Sequence, residues 1–244
     1  MEVTSKVKVV LTADEGLFCH DPNEPFDYIS NVSAGSAPFP NWFFNFLSVL
    51  NKTTQMNSNS MDIPSQAPYG LRKIEATLLR EGFEVITTNP QRLPNALEDA
   101  KILGIYVMDP LGIGPLTTTF NQLAGVKNLK LEKSFKTLLE MPEIISARTK
   151  GMKVFVGGPG AWQFRYINSS EYNVDCIVEG EAEKVIGLLI KTAVDNGHLH
   201  KIYTVPFDQF PQPNEIPEIM NPSSCGLIEV GRGCPRGCEY CSIK

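Results

Sequence analysis

Two hydrophobic periods alternate along this chain. Short apolar, β-branched runs stand at residues 7–11, 83–87, 102–108, 153–157 and 174–178, and helix-spaced apolar positions lie between them. Leu71, Ile74, Leu78 and Leu79 share one face of a helix predicted over residues 70–80, and Gly82 stops it before the next strand. Further helices are predicted near residues 94–100, 134–150 and 181–196. Strands alternating with helices predict an α/β domain whose parallel sheet is covered on both faces. Five strands suggest a Rossmann or flavodoxin-like sheet in the order 2-1-3-4-5, with ligands expected beyond the carboxyl ends at the switch point.

Breaks in the pattern divide the chain. Residues 19–68 form a long connection rich in Pro, Ser and Asn, with an aromatic knot at Phe39, Trp42, Phe43, Phe44 and Phe46. The texture changes again after about residue 200, where Pro206, Pro211, Pro213, Pro217 and Pro222 mark an extended linker. The expected division is a sheet domain over residues 1–204, a linker over 205–224, and a new unit opening at 225–244 with the apolar run 226–230 as its first strand.

Three loops fall on the predicted carboxyl edge, at residues 13–19, 109–119 and 157–162. Within them Asp109, Gly112, Gly114, Thr117, Gly157 and Gly158 are candidate ligand contacts, because glycine lets a ligand approach the backbone and threonine offers hydrogen bonds. Tight turns with helix-capping threonines explain the same residues equally well. Glu179, Glu181 and Glu183 read most simply as charges at a helix N-terminus.

Charge and composition narrow the classes. A net charge of -5 argues against a nucleic-acid surface, and the basic residues around 127–136 and 148–153 have acidic neighbours. The most apolar stretch, residues 42–50, contains Asn45 and Ser48 and is far shorter than the ~20 residues of a membrane-spanning helix. Six cysteines without a secretory signal fit a cytoplasmic, reducing compartment better than a disulfide scaffold.

Near the end, Cys234, Cys238 and Cys241 set three thiols in a C-x-x-x-C-x-x-C array. Closely spaced thiolates hold iron–sulfur clusters, and three of them leave the fourth iron of a cubane open. Gly231, Gly233 and Gly237 let the backbone bend round a cluster, Pro235 stiffens the turn, and Arg232 and Arg236 offset negative charge. Structural zinc closes a tetrahedron with four ligands, and the nearest fourth candidate, Cys225, is separated from Cys234 by the apolar run.

With Tyr240 before the last cysteine, this run resembles the signature of the radical S-adenosylmethionine superfamily. The resemblance implies a 4Fe-4S cluster whose unique iron is chelated by the amino and carboxylate groups of S-adenosylmethionine, and reductive cleavage to a 5'-deoxyadenosyl radical. It implies that Tyr240 packs near the adenine, that a ferredoxin or flavodoxin donates electrons, and that the substrate is a small molecule or peptide. In that family the cluster loop follows the first strand of a β/α barrel. Only Ser242, Ile243 and Lys244 follow Cys241, so the chain is expected to be the N-terminal part of a longer enzyme, inactive alone.

Residues 1–200 also resemble the cobalamin-binding domain that precedes the barrel in one class of these enzymes, through the strand–helix order, the Gly157-Gly158 turn and the acidic run at 178–183. That resemblance implies cobalamin as a further cofactor and methyl transfer as the commonest reaction. The sequence departs from the Asp-x-His-x-x-Gly signature, offering Cys19-His20-Asp21-Pro22 in the first loop. The rival reading is a non-enzymatic iron–sulfur or zinc module for binding or electron transfer, with Cys225 as the fourth ligand.

Overall fold

β-Branched strands stay extended and pair where both faces find apolar cover. In a computed structural model β1 (Lys8–Ala13), β2 (Glu84–Thr87), β3 (Ile102–Tyr106), β4 (Lys153–Gly157), β5 (Cys176–Glu179) and β6 (Ile202–Thr204) form one parallel sheet. The structure describes residues 6–14, 17–18, 66–124, 130–167, 171–232 and 239. The cysteine array, Tyr240, His20 and nearly all of the 19–68 connection lie outside them.

The strand order is β2-β1-β3-β4-β5-β6, the expected order with a sixth strand added beyond β5. This is an α/β fold compatible with a Rossmann or flavodoxin-like domain. The chain reverses direction across the sheet between β1 and β3, so the loops that follow these strands part there.

Side-chain alternation gives each face its own core. Val10, Leu103, Ile105, Val154, Val156 and Ile177 point to one side, against α2 (Leu93–Ala96), α4 (Lys130–Leu139) and α5 (Pro142–Thr149). Val9, Leu11, Ile102, Phe155, Cys176 and Val178 point to the other, against α1 (Tyr69–Arg80) and α6 (Ile186–Val194). A strand one residue out of register would exchange these two sets.

Several boundaries differ from the sequence reading, each for a local reason. The helix expected over 134–150 is two helices, because Pro142 starts α5 and Met141 before it is extended at φ -59°, ψ 130°. Residues 109–119, read as loop, contain the start of α3 (Pro115–Ala124), whose Thr118 and Thr119 hydroxyls donate back to the Gly114 and Pro115 carbonyls. The helix expected from residue 181 begins only at Ile186, which leaves Glu181 and Glu183 in the preceding loop.

The stretch after β6, read as a linker, is held against the domain, whereas residues 227–230, read as a strand, form none and leave Leu227, Ile228 and Val230 exposed. Val205 is buried and Phe210 packs on the α1/α6 core. Arg72, fully buried on α1, pairs with both oxygens of Glu75 at 2.9 Å and donates Nε–H to the Pro222 carbonyl at 3.0 Å. Beside it, Ala67 and Ser223 form a parallel bridge.

Removing one member of a buried ion pair leaves the other uncompensated. Arg72→Ala is therefore expected to destabilise the domain by about 3–5 kcal/mol in urea unfolding. The double replacement Arg72→Met with Glu75→Leu should recover most of that loss.

Candidate functional site

Gly104 sits in the middle of β3, on the sheet face toward α1 and α6, and lacks a side chain where its neighbours carry large ones. Above it a cavity of about 610 Å³ runs between the two helices. Its walls are apolar, with Val9 and Leu11 of β1, Phe155 of β4, Leu71 and Ile74 of α1, and Ile186 and Ile190 of α6. A volume of this size lies in the ordinary range for small-molecule sites.

The cavity reaches the carboxyl edge. Tyr69 and Gly70, Gly157 and Gly158, Trp162 and the loop from Glu179 to Glu183 line it there. Gly158 must be glycine, because its φ is +108° and a Cβ would stand 2.7 Å from the Val107 carbonyl oxygen and 2.9 Å from the Tyr106 ring. Burial pushes the Tyr106 phenol up to about 12, so it stays neutral.

Five charged side chains gather at this edge. Arg232 reaches Glu181 through Nη1 at 2.5 Å, Glu183 through Nη2 at 2.6 Å and Glu229 through Nε at 2.5 Å. Lys73 of α1 pairs with Glu183 at 3.1 Å and Glu229 at 2.9 Å, and lies over the Tyr69 ring. Burial pushes the Glu183 carboxyl upward, but hydrogen bonding to Arg232 and the charge of Lys73 outweigh it, so the carboxyl lies below its usual range. Glu229 is lowered too, chiefly by its hydrogen bond from Arg232.

The structure divides the residues expected to hold a ligand. Gly157 and Gly158 line the cavity, whereas Asp109, Gly112, Gly114 and Thr117 do not. Asp109 is buried and accepts hydrogen bonds from Gly114 N–H at 2.9 Å, Thr117 Oγ1–H at 2.5 Å and Gln163 Nε2–H at 2.6 Å. Gln163 in turn accepts from Leu111 N–H, and Gly112 takes φ +65° in the turn between. This network closes the β3–α3 loop onto the 3-10 helix Ala161–Tyr166.

Other expectations also change. Glu181 and Glu183 precede α6 and serve as partners of Arg232 rather than as helix N-terminal charges. Arg232, expected to offset cluster charge, has its guanidinium taken up by three glutamates. His198 and His200 face each other with ring centroids 5.1 Å apart, just before β6 and thus at the amino edge, opposite the cavity mouth.

Sequence reasoning missed Tyr69, Lys73, Tyr106 and Gly104. A lone glycine inside a strand marks close approach of something else to the backbone, and Gly104 carried that signal. Lys73 carried none, since it stands among ordinary charged positions of an amphipathic helix.

Among the described residues no group of histidine, cysteine or carboxylate side chains has metal-holding geometry, and no helix is long and apolar enough to cross a membrane. Cys176, the free thiol of β5, is buried and pushed up to about 12 by that burial and then by Asp175, which makes it a core residue and a poor ligand. No protein-family model matches the chain, and neither the curated proteins nor the solved structures give a match.

Two outcomes follow. Asp109→Ala removes the acceptor of Gly114 N–H, Thr117 Oγ1–H and Gln163 Nε2–H and is expected to cost about 1–3 kcal/mol in urea unfolding. It should leave ligand affinity at the cavity unchanged, because Asp109 does not line it.

Glu183 and Glu229 have lowered values in the folded chain, so their contribution to stability is complete above the unfolded glutamate value of about 4.3 and is lost as pH falls through the lower folded values. Below about pH 4.3, wild-type stability should fall more steeply than that of the Glu183→Gln, Glu229→Gln double variant, and the two should run parallel from pH 5 to 7. Unfolding titrations across this range check it.

Proposed function

We propose that this chain is the cofactor-binding N-terminal portion of a radical S-adenosylmethionine enzyme. Cys234, Cys238 and Cys241 hold a 4Fe-4S cluster, and the cavity between α1 and α6 holds part of a second, organic cofactor of the cobalamin type. The observation that carries the reading is the cysteine array itself: three closely spaced thiolates would leave one iron of a cubane open, and an aromatic residue precedes the last of them. Bound there, the cluster supplies the electron that cleaves S-adenosylmethionine.

The residues present fit these groups to different extents. For the cluster the donor set is right in type and number, with thiolates and no histidine in the array. For a cobalamin the apolar cavity takes a base-and-sugar-sized piece, and the larger corrin would lie outside it, near Gly157, Gly158 and Gly180 at the carboxyl edge. No described histidine faces that edge, so cobalt would be held without one from the described residues.

The chain's own residues do the binding and shielding. Apolar walls exclude water from the cavity, and the neutral Tyr106 phenol adds no charge to it. Residues 226–232 carry the chain from the bridged Ser223 to the cavity mouth, and the array begins two positions later.

Anaerobic reconstitution with metal and sulfide analysis tests the cluster. Cys225→Ser is expected to retain iron and sulfide in equal amounts, and Cys238→Ser to lose them. Iron lost from Cys225→Ser, or zinc in place of iron, would favour a four-ligand binding or electron-transfer module. Hydroxocobalamin titration followed by visible absorption tests the cavity, and a flat spectrum at high concentration counts against the cobalamin half of the reading.

A further inference from the structure

Glu229 and Arg232 belong to the segment that leads into the cysteine array, yet both line the cavity and both are bonded to the sheet domain. We propose that they form a latch: the ion-pair cluster fixes the segment ending at Arg232 to the cavity mouth, so that what fills the cavity and whether this segment is held are linked. The proposal rests on the reading of the cavity as a ligand site.

The cluster is shielded enough to hold. The side chain of Arg232 is 13% exposed, that of Lys73 12% and that of Glu183 5%, so solvent screens these pairs far less than it does surface pairs. Charge makes the arrangement depend on one residue. Three carboxylates face two cations, and without Arg232 only Lys73 would stand among Glu181, Glu183 and Glu229. Glu183 Oε2, buried and without a hydrogen-bond partner among the described residues, leaves no slack to absorb the change.

Geometry makes the latch compatible with an occupant, since the 610 Å³ space persists with the segment in place. A ligand that contacts Glu229 and Arg232 at the mouth, and binds better with the segment held than released, would favour the held arrangement. By reciprocity, holding the segment closed retains the ligand.

Alkylation of the metal-free full chain, read at each cysteine by mass spectrometry, tests this. Arg232→Gln is expected to speed labelling of Cys234 and Cys238 about tenfold, within the usual range for coupled sites, while Cys176 stays protected. Loss of a neighbouring cation alone would raise the thiol pKa and slow the reaction, so acceleration reports release of the segment. Arg232→Lys should restore part of the protection. Unchanged rates with Cys176 protected would overturn the latch.

Should Arg232→Gln expose Cys176 as well, Glu181→Gln replaces it, with a smaller acceleration expected and no acceleration again overturning the proposal. Hydroxocobalamin serves as the cavity probe. If it binds, it should slow wild-type labelling and leave Arg232→Gln rates nearly unaffected; binding without slowing overturns the link. An absent absorption change sinks the cobalamin reading alone, and the latch is then decided by the ligand-free rates.

Discussion

Everything at the candidate site depends on the parallel arrangement of the sheet. Parallel strands need crossovers, crossovers place helices on both faces, and every loop after a strand then opens on one edge. Here that edge receives the ends of β1, β3, β4 and β5 together. The face under α1 and α6 contains two strand positions without a side chain, Gly104 and Gly157, and both line the cavity. Packing creates the cavity and topology places its mouth.

The same constraint explains how the end of the chain joins the site. The segment after β6 crosses back over α1, fixed by the buried Arg72 at Pro222 and by the Ala67–Ser223 bridge. It then delivers Glu229 and Arg232 beside Glu181 and Glu183, residues some fifty positions earlier in the chain. Hydrogen bonding to charged groups and shielding from water give these contacts more weight than the same pairs would have on an open surface. The acidic run after β5 thereby gains a role that helix-dipole reasoning did not assign to it.

The fold was more legible in the sequence than the site was. Five strands follow from β-branched runs and the spacing of helices, because burial on both faces leaves a continuous apolar signal, and their order is that of the flavodoxin-like pattern. The sixth strand, Ile202–Thr204, is only three residues long and partly exposed, too short for any period to register. Helix α3 hid behind glycine and threonine, which usually mark loops.

Of the predicted contacts, Gly157 and Gly158 stand at the cavity, whereas Asp109, Gly114 and Thr117 bond to one another, a distinction that requires knowing which way each loop turns. Lys73 and Arg232 meet only through tertiary contacts between distant segments, about which a single sequence says nothing.

The proposed function requires Cys234, Cys238 and Cys241 to leave one iron of a cluster open to S-adenosylmethionine. Electron paramagnetic resonance of the reduced, anaerobically reconstituted chain, recorded with and without S-adenosylmethionine, tests it most directly. A 4Fe-4S signal whose g-values shift when S-adenosylmethionine is added is the expected result. A 4Fe-4S signal indifferent to S-adenosylmethionine, or no cluster at all, would contradict it.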